Sequence, residues 1–584
     1  MNQEDVIHNL QNITTKYQEI LSAMMNHKFP GNITPMICKD KMQLIVSSII
    51  TKMQEKPEQF ARLNMEYSEQ FSALLINTFM KFIGESVPSM FTPQKGDKRF
   101  KDEAWNENIY FDFIKQFYLM SSTLVRKHVS SLGLEPQTQR MTDFLANQFT
   151  NAFCPSNFLF SNPEVLRESA NSGWKNIAQG MDNFIQDLKN SDNLFDIQTT
   201  DKMFFKLGNN IASTPGKIVM QNELMQLIAY EPKSKMHSIP ILIVPPCINK
   251  YYILDLSPEN SLVKWLVDNN FQVFMVSWVN PDKHLSDMDL EDYIKLGVLD
   301  TTEYICQNLD YKKVSCIGYC IGGTILAAAM SLLEAKGNSR IDSSAFLATL
   351  LDFSDPGDIG LFVNNDTLNA LKEDIDHKGY FDGKYLAHSF SLLRANDLIW
   401  SFFVNNYLLG KRPLPFDILY WNSDPTNLPA KMFYTYMEKF YIKNQLVIPN
   451  EISILGEKIS LKNIKSPSFF LACREDHITL WKPIFKGMQA VGGNKTLCVA
   501  TSGHVAGIVN PPSHRKYSYF INGDISSTPE QFMDTAIEVK GSWWSCWLEW
   551  WKDKSSNNEL VEEKKYAFLN TISPAPGEYV KVRI

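Results

Sequence analysis

The stretch Cys316-Ile317-Gly318-Tyr319-Cys320-Ile321-Gly322-Gly323 restricts the fold more than any other part of the chain. Before it, Val314–Tyr319 is an unbroken run of strand character, and after it Ile321 to Ala329 reads as the start of a helix. Cys320 stands at the junction, in the form Gly-x-Cys-x-Gly. A strand that turns directly into a helix is so tight that side chains two before and two after the central residue would collide, so Gly318 and Gly322 have a steric reason to be there. The turn also brings the N–H of Ile321 and the helix N-terminus beside the thiol, where they favour a thiolate and an oxyanion. The plain alternative is a buried structural cysteine at a Gly-rich packing contact. Cys316, on the strand, has no such context and reads as core.

The same texture recurs on both sides of this elbow. Apolar, β-rich runs occupy residues 239–245, 271–278, 314–319, 345–353, 468–473 and 496–501, with helical segments between them. Short, nearly continuous apolar strands separated by helices predict a mostly parallel sheet covered on both faces, the α/β class. Upstream, LGNNIASTPGKIVMQNELMQLIAYEP reads as two strands around a Gly/Pro turn. Residues 354 to about 465 are too many for a simple crossover, and are rich in aromatics and helical pattern. They are expected to form a cap inserted over the carboxyl ends of the strands, where open α/β sheets bind ligands. The tail returns to helix at GSWWSCWLEWWKD and ends in PAPGEYVKVRI, which reads as extended.

Residues 1–195 read differently, as a mainly helical domain, with residues 196–584 as the catalytic domain. Val6, Leu10, Ile13, Tyr17, Ile20 and Met24 place one apolar stripe along a first helix. That stripe packs on the protein itself or docks on a partner or hydrophobic surface. NIYFDFIKQFYLMSSTLVRKHV and DNFIQDLKN are further helical patterns, with breaks at PGNITP, VPSMFTPQKGDK and CPSNFLFSNPE.

A net charge of −7 leaves no basic surplus to meet phosphates, which argues against nucleic acid as the main partner. The nine cysteines are an odd number with no CxxC pair, and the opening MNQEDVIHNLQNITTKYQEI lacks the basic-then-apolar layout of a secretory signal. No apolar run reaches the roughly 18 residues of a membrane span. A soluble chain with free thiols in a reducing cytoplasm is expected.

A nucleophile on such an elbow needs a base and an orienting acid, following it in the order acid, then histidine. After the fifth run comes Cys473-Arg474-Glu475-Asp476-His477-Ile478, and after the sixth Thr501-Ser502-Gly503-His504-Val505-Ala506-Gly507. Both sit at strand ends, so Cys320, Asp476 and His504 are the candidate triad. Glu475 competes as the acid and His477 as the base, but adjacent Asp476 and His477 would point apart. The remaining eight histidines have no comparable context. The backbone N–H of Ile321, with that of Cys247 or Ile248 in the loop Pro245-Pro246-Cys247-Ile248-Asn249-Lys250, is the candidate oxyanion hole.

Sulfur as the nucleophile carries information about the substrate. A thiolate attacking an oxygen ester must expel a poorer leaving group than itself, and the intermediate collapses backwards. With a thioester, entering and leaving sulfurs are matched, so cysteine points to acyl transfer from a coenzyme A thioester more than to lipid hydrolysis.

From about residue 95 onward the chain resembles the class I polyhydroxyalkanoate synthases. The segments that carry this include DKRFKDEAWNENIYFDFIKQFYL, PSNFLFSNPE, VPPCINKYYILDL, SWVNPD, GYCIGG and LLDFSD. LRANDLIW, NNYLLGKRPLPFDILYWNSDPTNLP, REDHI, SGHVAGIVNPP, GSWW and PAPGEYVK follow in order. The resemblance implies an α/β-hydrolase fold with an inserted cap behind a helical N-terminal domain. It implies polymerisation of (R)-3-hydroxyacyl-coenzyme A, chiefly 3-hydroxybutyryl, with Cys320 acylated. His504 resembles the general base, and Asp476 the acid that orients it or assists the substrate hydroxyl. The resemblance further implies homodimers at the surface of polyester granules, with granule-coating proteins as partners, and a tryptophan at the position of Trp421. Two departures stand out: Ile109 replaces the proline of the family's W-x-x-N-P, and Val279 replaces the arginine of SWRNP. No metal-ligand spacing or nucleotide-binding Gly-rich loop is found, so no cofactor beyond the coenzyme A of the substrate is expected. A thioesterase or polyester depolymerase of the same fold, and a catalytically silent granule-binding protein, are the competing readings.

Overall fold

The computed structural model describes residues 3–26, 39–190, 196–563 and 566–584. The PGNITP break, Cys38 and the expected domain boundary at residue 195 lie outside the described residues, as does the side chain of Met24. The chain divides into two compact units, Met1–Asp201 with Phe390–Leu414, and Lys202–Ser389 with Pro415–Ile584.

The second unit is built on an 11-stranded sheet. In chain order its strands are β1 (Gly216–Gln221), β2 (Met225–Tyr230), β3 (Ile241–Val244), β4 (Val273–Trp278), β5 (Val314–Tyr319) and β6 (Ile341–Leu347). They continue with β7 (Ser468–Cys473), β8 (Lys495–Ala500), β9 (Ser518–Ile521), β10 (Ile537–Lys540) and β11 (Ser573–Pro574). The spatial order is β10-β9-β8-β7-β6-β5-β3-β4-β2-β1-β11. From β4 to β8 every neighbouring pair is parallel, and the pairs outside that block are antiparallel. Strands β3 to β7 are buried along their whole length, which is why all but β6 read as apolar runs without alternation.

Three sequence expectations shift. The fourth run was expected at 345–353, but β6 spans Ile341–Leu347. Its polar start is buried yet bonded: Ser343 Oγ lies 2.9 Å from Ser315 Oγ and Ser344 Oγ 2.9 Å from Ser468 Oγ. The Asp342 carboxylate accepts from Ser555 Oγ at 3.0 Å. The strand stops where Ala348 takes a φ of 44°. Upstream, β1 and β2 pair as expected, but their turn is Asn222-Glu223-Leu224, held by the Asn222 side chain accepting from Leu224 N and Met225 N. The Gly/Pro stretch precedes β1. The tail, expected to be extended, forms edge strand β11 and then a short helical turn at Tyr579–Lys581.

The helix Trp543–Lys554 buries Trp543, Trp544, Trp547, Trp550 and Trp551 against this sheet. Each is a large apolar load, and truncating one such ring to alanine costs about 3–5 kcal/mol.

The first unit is helical, with Pro57–Phe82 packed on Ile109–Ser131, and Gln3–Asn26 on Lys175–Asn190. Ile13 of the first helix packs against buried Val165 and Ile177, whereas Leu10 and Tyr17 of the same stripe are exposed. Asn108 caps the helix Ile109–Ser131 by accepting from Tyr110 N and Phe111 N. Ile109 therefore sits at the first helical position, where proline is favoured only because its missing N–H has no helical partner. Losing the proline there removes no bond.

Phe390–Leu414, expected as part of the cap, is grouped instead with the helical unit. Asn176 Nδ2 donates to Leu408 O at 2.8 Å, Asn183 Nδ2 to Asn406 O at 2.9 Å, and Asn406 Nδ2 to Gln198 O at 2.7 Å. Gly180 lies so close that a Cβ there would sit 1.9 Å from Tyr407 O.

Candidate active site

The site forms where β5 ends. Cys320 has φ 52° and ψ −127°, an unusual conformation for a side-chain-bearing residue, and caps the helix Ile321–Ala335. Its amide donates to Leu347 O at 2.9 Å, and its carbonyl accepts from Gly323 N at 2.9 Å, so the strained turn is held from both sides. A Cβ on Gly318 would lie 2.4 Å from Gly323 Cα, and one on Gly322 would lie 2.3 Å from Val244 O. Gly323, not singled out from sequence, is as constrained, with Thr349 Oγ1 at 2.0 Å.

Asp476 follows β7 and His504 follows β8. His504 Nδ1 donates to Asp476 Oδ2 at 2.7 Å. The same carboxylate accepts Thr479 Oγ1 at 2.8 Å on Oδ2, and Ile478 N at 2.8 Å and Thr479 N at 2.9 Å on Oδ1. Thr479 was missed from sequence; the Asp-x-x-Thr spacing after a strand was the available signal, since it lets one carboxylate bind both the amide and the hydroxyl three residues on. Glu475 is exposed, whereas Asp476 is buried.

Burial works against a charged imidazole, but the charges of Asp476 and Cys320, with hydrogen bonds to both, outweigh it and raise the His504 pKa to about 10. Burial likewise opposes the Asp476 charge, and His504 and Thr479 overcome it, holding that carboxyl below its ordinary value. With Nδ1 committed to Asp476, Nε2 is the nitrogen left for Cys320.

The histidine's loop is clamped from the tryptophan helix. Trp543 Nε1 donates to Gly507 O at 2.8 Å, and Trp544 Nε1 donates to Ile508 O at 2.9 Å. Tyr319 OH donates to His504 O at 3.2 Å, and its ring stacks on the imidazole with centroids 5.4 Å apart.

On the other side, the N–H groups of Ile321, Cys247 and Ile248 donate to no other residue among those described. This loop lies against the elbow, since a Cβ on Gly322 would sit 2.5 Å from Pro245 O; burial pushes the Cys247 thiol up, and nearby Cys320 adds to it. Three carbonyls of the loop are occupied: Pro245 O accepts Trp278 Nε1 at 2.9 Å, Ile248 O accepts Thr426 N at 3.0 Å, and Lys250 O accepts Trp421 Nε1 at 2.7 Å. Trp421 is thus a brace for the loop. Burial pushes the hydroxyl pKa of Tyr436 and Tyr441, from the expected cap, upward, with Cys320 adding to it, and Phe353 packs against both at 5.9 and 4.9 Å.

Cys316 is buried on β5, and burial pushes its thiol far up. His477, the competing base, is half-buried. Among the described residues no group of three His, Cys, Asp or Glu side chains is placed to hold a metal ion, and no helix is long and apolar enough to cross a membrane.

This arrangement can take a proton from a thiol, hold the resulting charge, and offer N–H donors to an oxyanion, which is the equipment of acyl transfer. Residues 96–266 match the family model described as the N-terminus of poly-beta-hydroxybutyrate polymerase, and residues 240–511 match that of the alpha/beta hydrolase fold. The poly(3-hydroxyalkanoate) polymerase subunit of Rhizobium meliloti (strain 1021) is 40% identical over 508 residues, covering 87% of this chain and 83% of that protein. The poly(3-hydroxyalkanoate) polymerase of Methylorubrum extorquens is 36% identical over 547 residues, covering 93% and 90%. The polymerase subunit of Cupriavidus necator (strain H16) is 34% identical over 534 residues, covering 90% and 89%. The likeness therefore runs through both units, and the sheet with its elbow is an α/β-hydrolase fold.

Proposed function

This chain belongs to the poly(3-hydroxyalkanoate) polymerases, acyltransferases that build polyester, and on that premise we propose that it polymerises (R)-3-hydroxyacyl-coenzyme A, chiefly 3-hydroxybutyryl, through an acyl-enzyme on Cys320. The observation that carries this reading is the hydrogen bond of His504 Nδ1 to Asp476 Oδ2, which leaves Nε2 for Cys320 at the head of a strained elbow.

In the first half-reaction, His504 Nε2 takes the Cys320 proton and the sulfur attacks the thioester carbonyl. The oxyanion meets the N–H of Ile321 and of Cys247 or Ile248. The intermediate collapses by breaking the bond to the coenzyme A sulfur, which leaves with the proton from His504. In the second half, the 3-hydroxyl of another unit or of the chain end gives its proton to His504 and attacks the acyl-cysteine. An ester forms, and the Cys320 sulfur leaves and is reprotonated. Asp476 keeps the imidazole in the tautomer with Nδ1 protonated and stabilises the imidazolium. No metal or other cofactor enters this scheme.

The test is the Cys320→Ala variant incubated with 3-hydroxybutyryl-coenzyme A; no coenzyme A release is expected, and appreciable release would sink the mechanism. Cys320→Ser is expected to lose most activity, because an alkoxide breaks the match between entering and leaving groups. Product analysis decides between synthesis and hydrolysis: high-mass polyester supports the proposal, and free 3-hydroxy acid moves it to a thioesterase or depolymerase.

We further propose that the chain works as a homodimer at the surface of polyester granules, with granule-coating proteins. Met65, Leu75, Ile76, Phe79 and Phe82, exposed along the helix Pro57–Phe82, support this setting. Replacing Phe79 and Phe82 by serine is expected to weaken sedimentation with polyester particles; unchanged sedimentation overturns that role.

A further inference from the structure

The loop Pro245–Lys250 is held from a direction that the reaction scheme does not use. Lys250, fully buried, donates from Nζ to Val582 O at 2.6 Å. The Lys250 carbonyl is the acceptor for Trp421. Three residues beyond Trp421, the buried Asp424 accepts Tyr252 OH at 2.8 Å on Oδ2 and pairs with Arg583 at 3.5 Å. Its Oδ1 has no hydrogen-bond partner among the described residues, so this carboxylate depends on nearby positive charge. Burial pushes the Asp424 carboxyl above its ordinary value, and the charges of Arg583 and Lys250 oppose that push. The Arg583 guanidinium lies 4.5 Å from the centre of the Tyr420 ring, on the same short helix as Trp421.

The segment bearing Val582 and Arg583 is itself anchored away from the site. Gln226 Oε1, on β2, accepts Glu578 N at 3.1 Å and Tyr579 N at 3.2 Å, and Tyr579 OH donates to Asn222 O at 2.7 Å. Gly577 approaches so closely that a Cβ would lie 2.4 Å from that Gln226 oxygen. A fixed point on the sheet is thus joined through Val582 and Arg583 to Lys250 and Asp424. From there it reaches the backbone on the C-terminal side of Cys247, since Asn249 bridges to Pro425 and Thr426 N donates to Ile248 O.

We propose that Lys250, Asp424 and Arg583 are positioning residues that lock the loop Pro245–Lys250 onto the C-terminal segment, and so fix the oxyanion donors at Cys247 and Ile248 in place. This rests on the acyl-transfer reading of Cys320. The cluster touches neither the nucleophile nor its base, so it acts on the carbonyl oxygen of the substrate and not on the thiol.

That separation gives the test. Alkylation of Cys320 by iodoacetamide is displacement at a saturated carbon and needs the thiol and His504 but no oxyanion donors. Acylation by 3-hydroxybutyryl-coenzyme A, read as coenzyme A released in a single turnover with enzyme in excess, needs both. In Lys250→Met, acylation is expected to fall about 100-fold, the scale of one lost oxyanion donor, while alkylation stays within about 3-fold of wild type. Arg583→Gln, at a half-exposed position, is the gentler variant and is expected to show the same split at about 10-fold. Lys250→Arg, which keeps the charge, is expected to recover part of the loss. The split in either of the first two variants supports the proposal. Equal falls in both rates, or no fall in acylation, in both variants overturn it. Coenzyme A release by Cys320→Ala in the same assay would instead overturn the acyl-enzyme reading beneath it.

Discussion

The two arms that flank Cys320 are built on opposite plans. On the arm of Asp476 and His504, nearly every polar atom has a partner within the protein. The carboxylate takes four hydrogen bonds, and the imidazole is held at Nδ1 and by its backbone carbonyl. On the arm of Cys247 and Ile248, the carbonyls of Pro245, Ile248 and Lys250 are bonded, whereas the N–H groups of Cys247 and Ile248 reach no other residue among those described. In the proposed mechanism, the first plan fixes the position and charge of a base that works in every step. The second fixes a backbone while leaving its donors for an oxygen that carries charge only in the transition state. Saturation suits a residue that must stay as it is, and an unpaired donor suits one that must respond.

Substitutions that separate these plans differ in size. Asp476→Ala is expected to have the largest effect, about 10⁴-fold in coenzyme A release, because the imidazole loses its tautomer and its counter-charge together. Alkylation of Cys320 should fall with it, and a fall in acylation alone would break the comparison. Trp421→Phe removes the donor to Lys250 O without removing the ring, so acylation is expected to drop about 10-fold while alkylation is unchanged. Thr479→Val removes one of the bonds on Asp476 and is expected to slow both rates together, by about 5-fold. A separate effect is on stability. The folded-state pKa of His504 is raised from about 6.5 to about 10, so the folded protein holds this proton more tightly than the unfolded chain does. The resulting stabilisation is fully present below pH 6.5 and is lost as pH rises towards 10. Thermal melting at a series of pH values should show a decline over that range that is shallower in His504→Gln; identical slopes would contradict it.

Much of this was legible in the sequence because it is local. The β5 run, the Gly-x-Cys-x-Gly turn and the acid and histidine at strand ends are each contained in a few consecutive residues. The start of β6 was not, because Asp342, Ser343 and Ser344 look unlike a buried strand until Ser315, Ser468 and Ser555 are brought to them. Thr479 and the bracing roles of Trp421, Trp543 and Trp544 escaped for the same reason: a tryptophan in a helix looks like core, and only tertiary structure shows which carbonyl its N–H meets. The hydrophobic pattern encodes which face is inside, whereas hydrogen bonds between distant segments leave no periodicity behind.

The placement of Phe390–Leu414 bears on how the chain is made. A ribosome delivers residues 1–201 first, yet the carbonyls of Asn406 and Leu408 that receive Asn183 and Asn176 emerge some two hundred residues later. The helical unit therefore cannot complete its folding during synthesis until about half of the catalytic sheet has also left the ribosome. Its early helices must wait with part of their apolar surface uncovered. Cutting the gene at residue 201 would separate two lengths of sequence without separating two folding units.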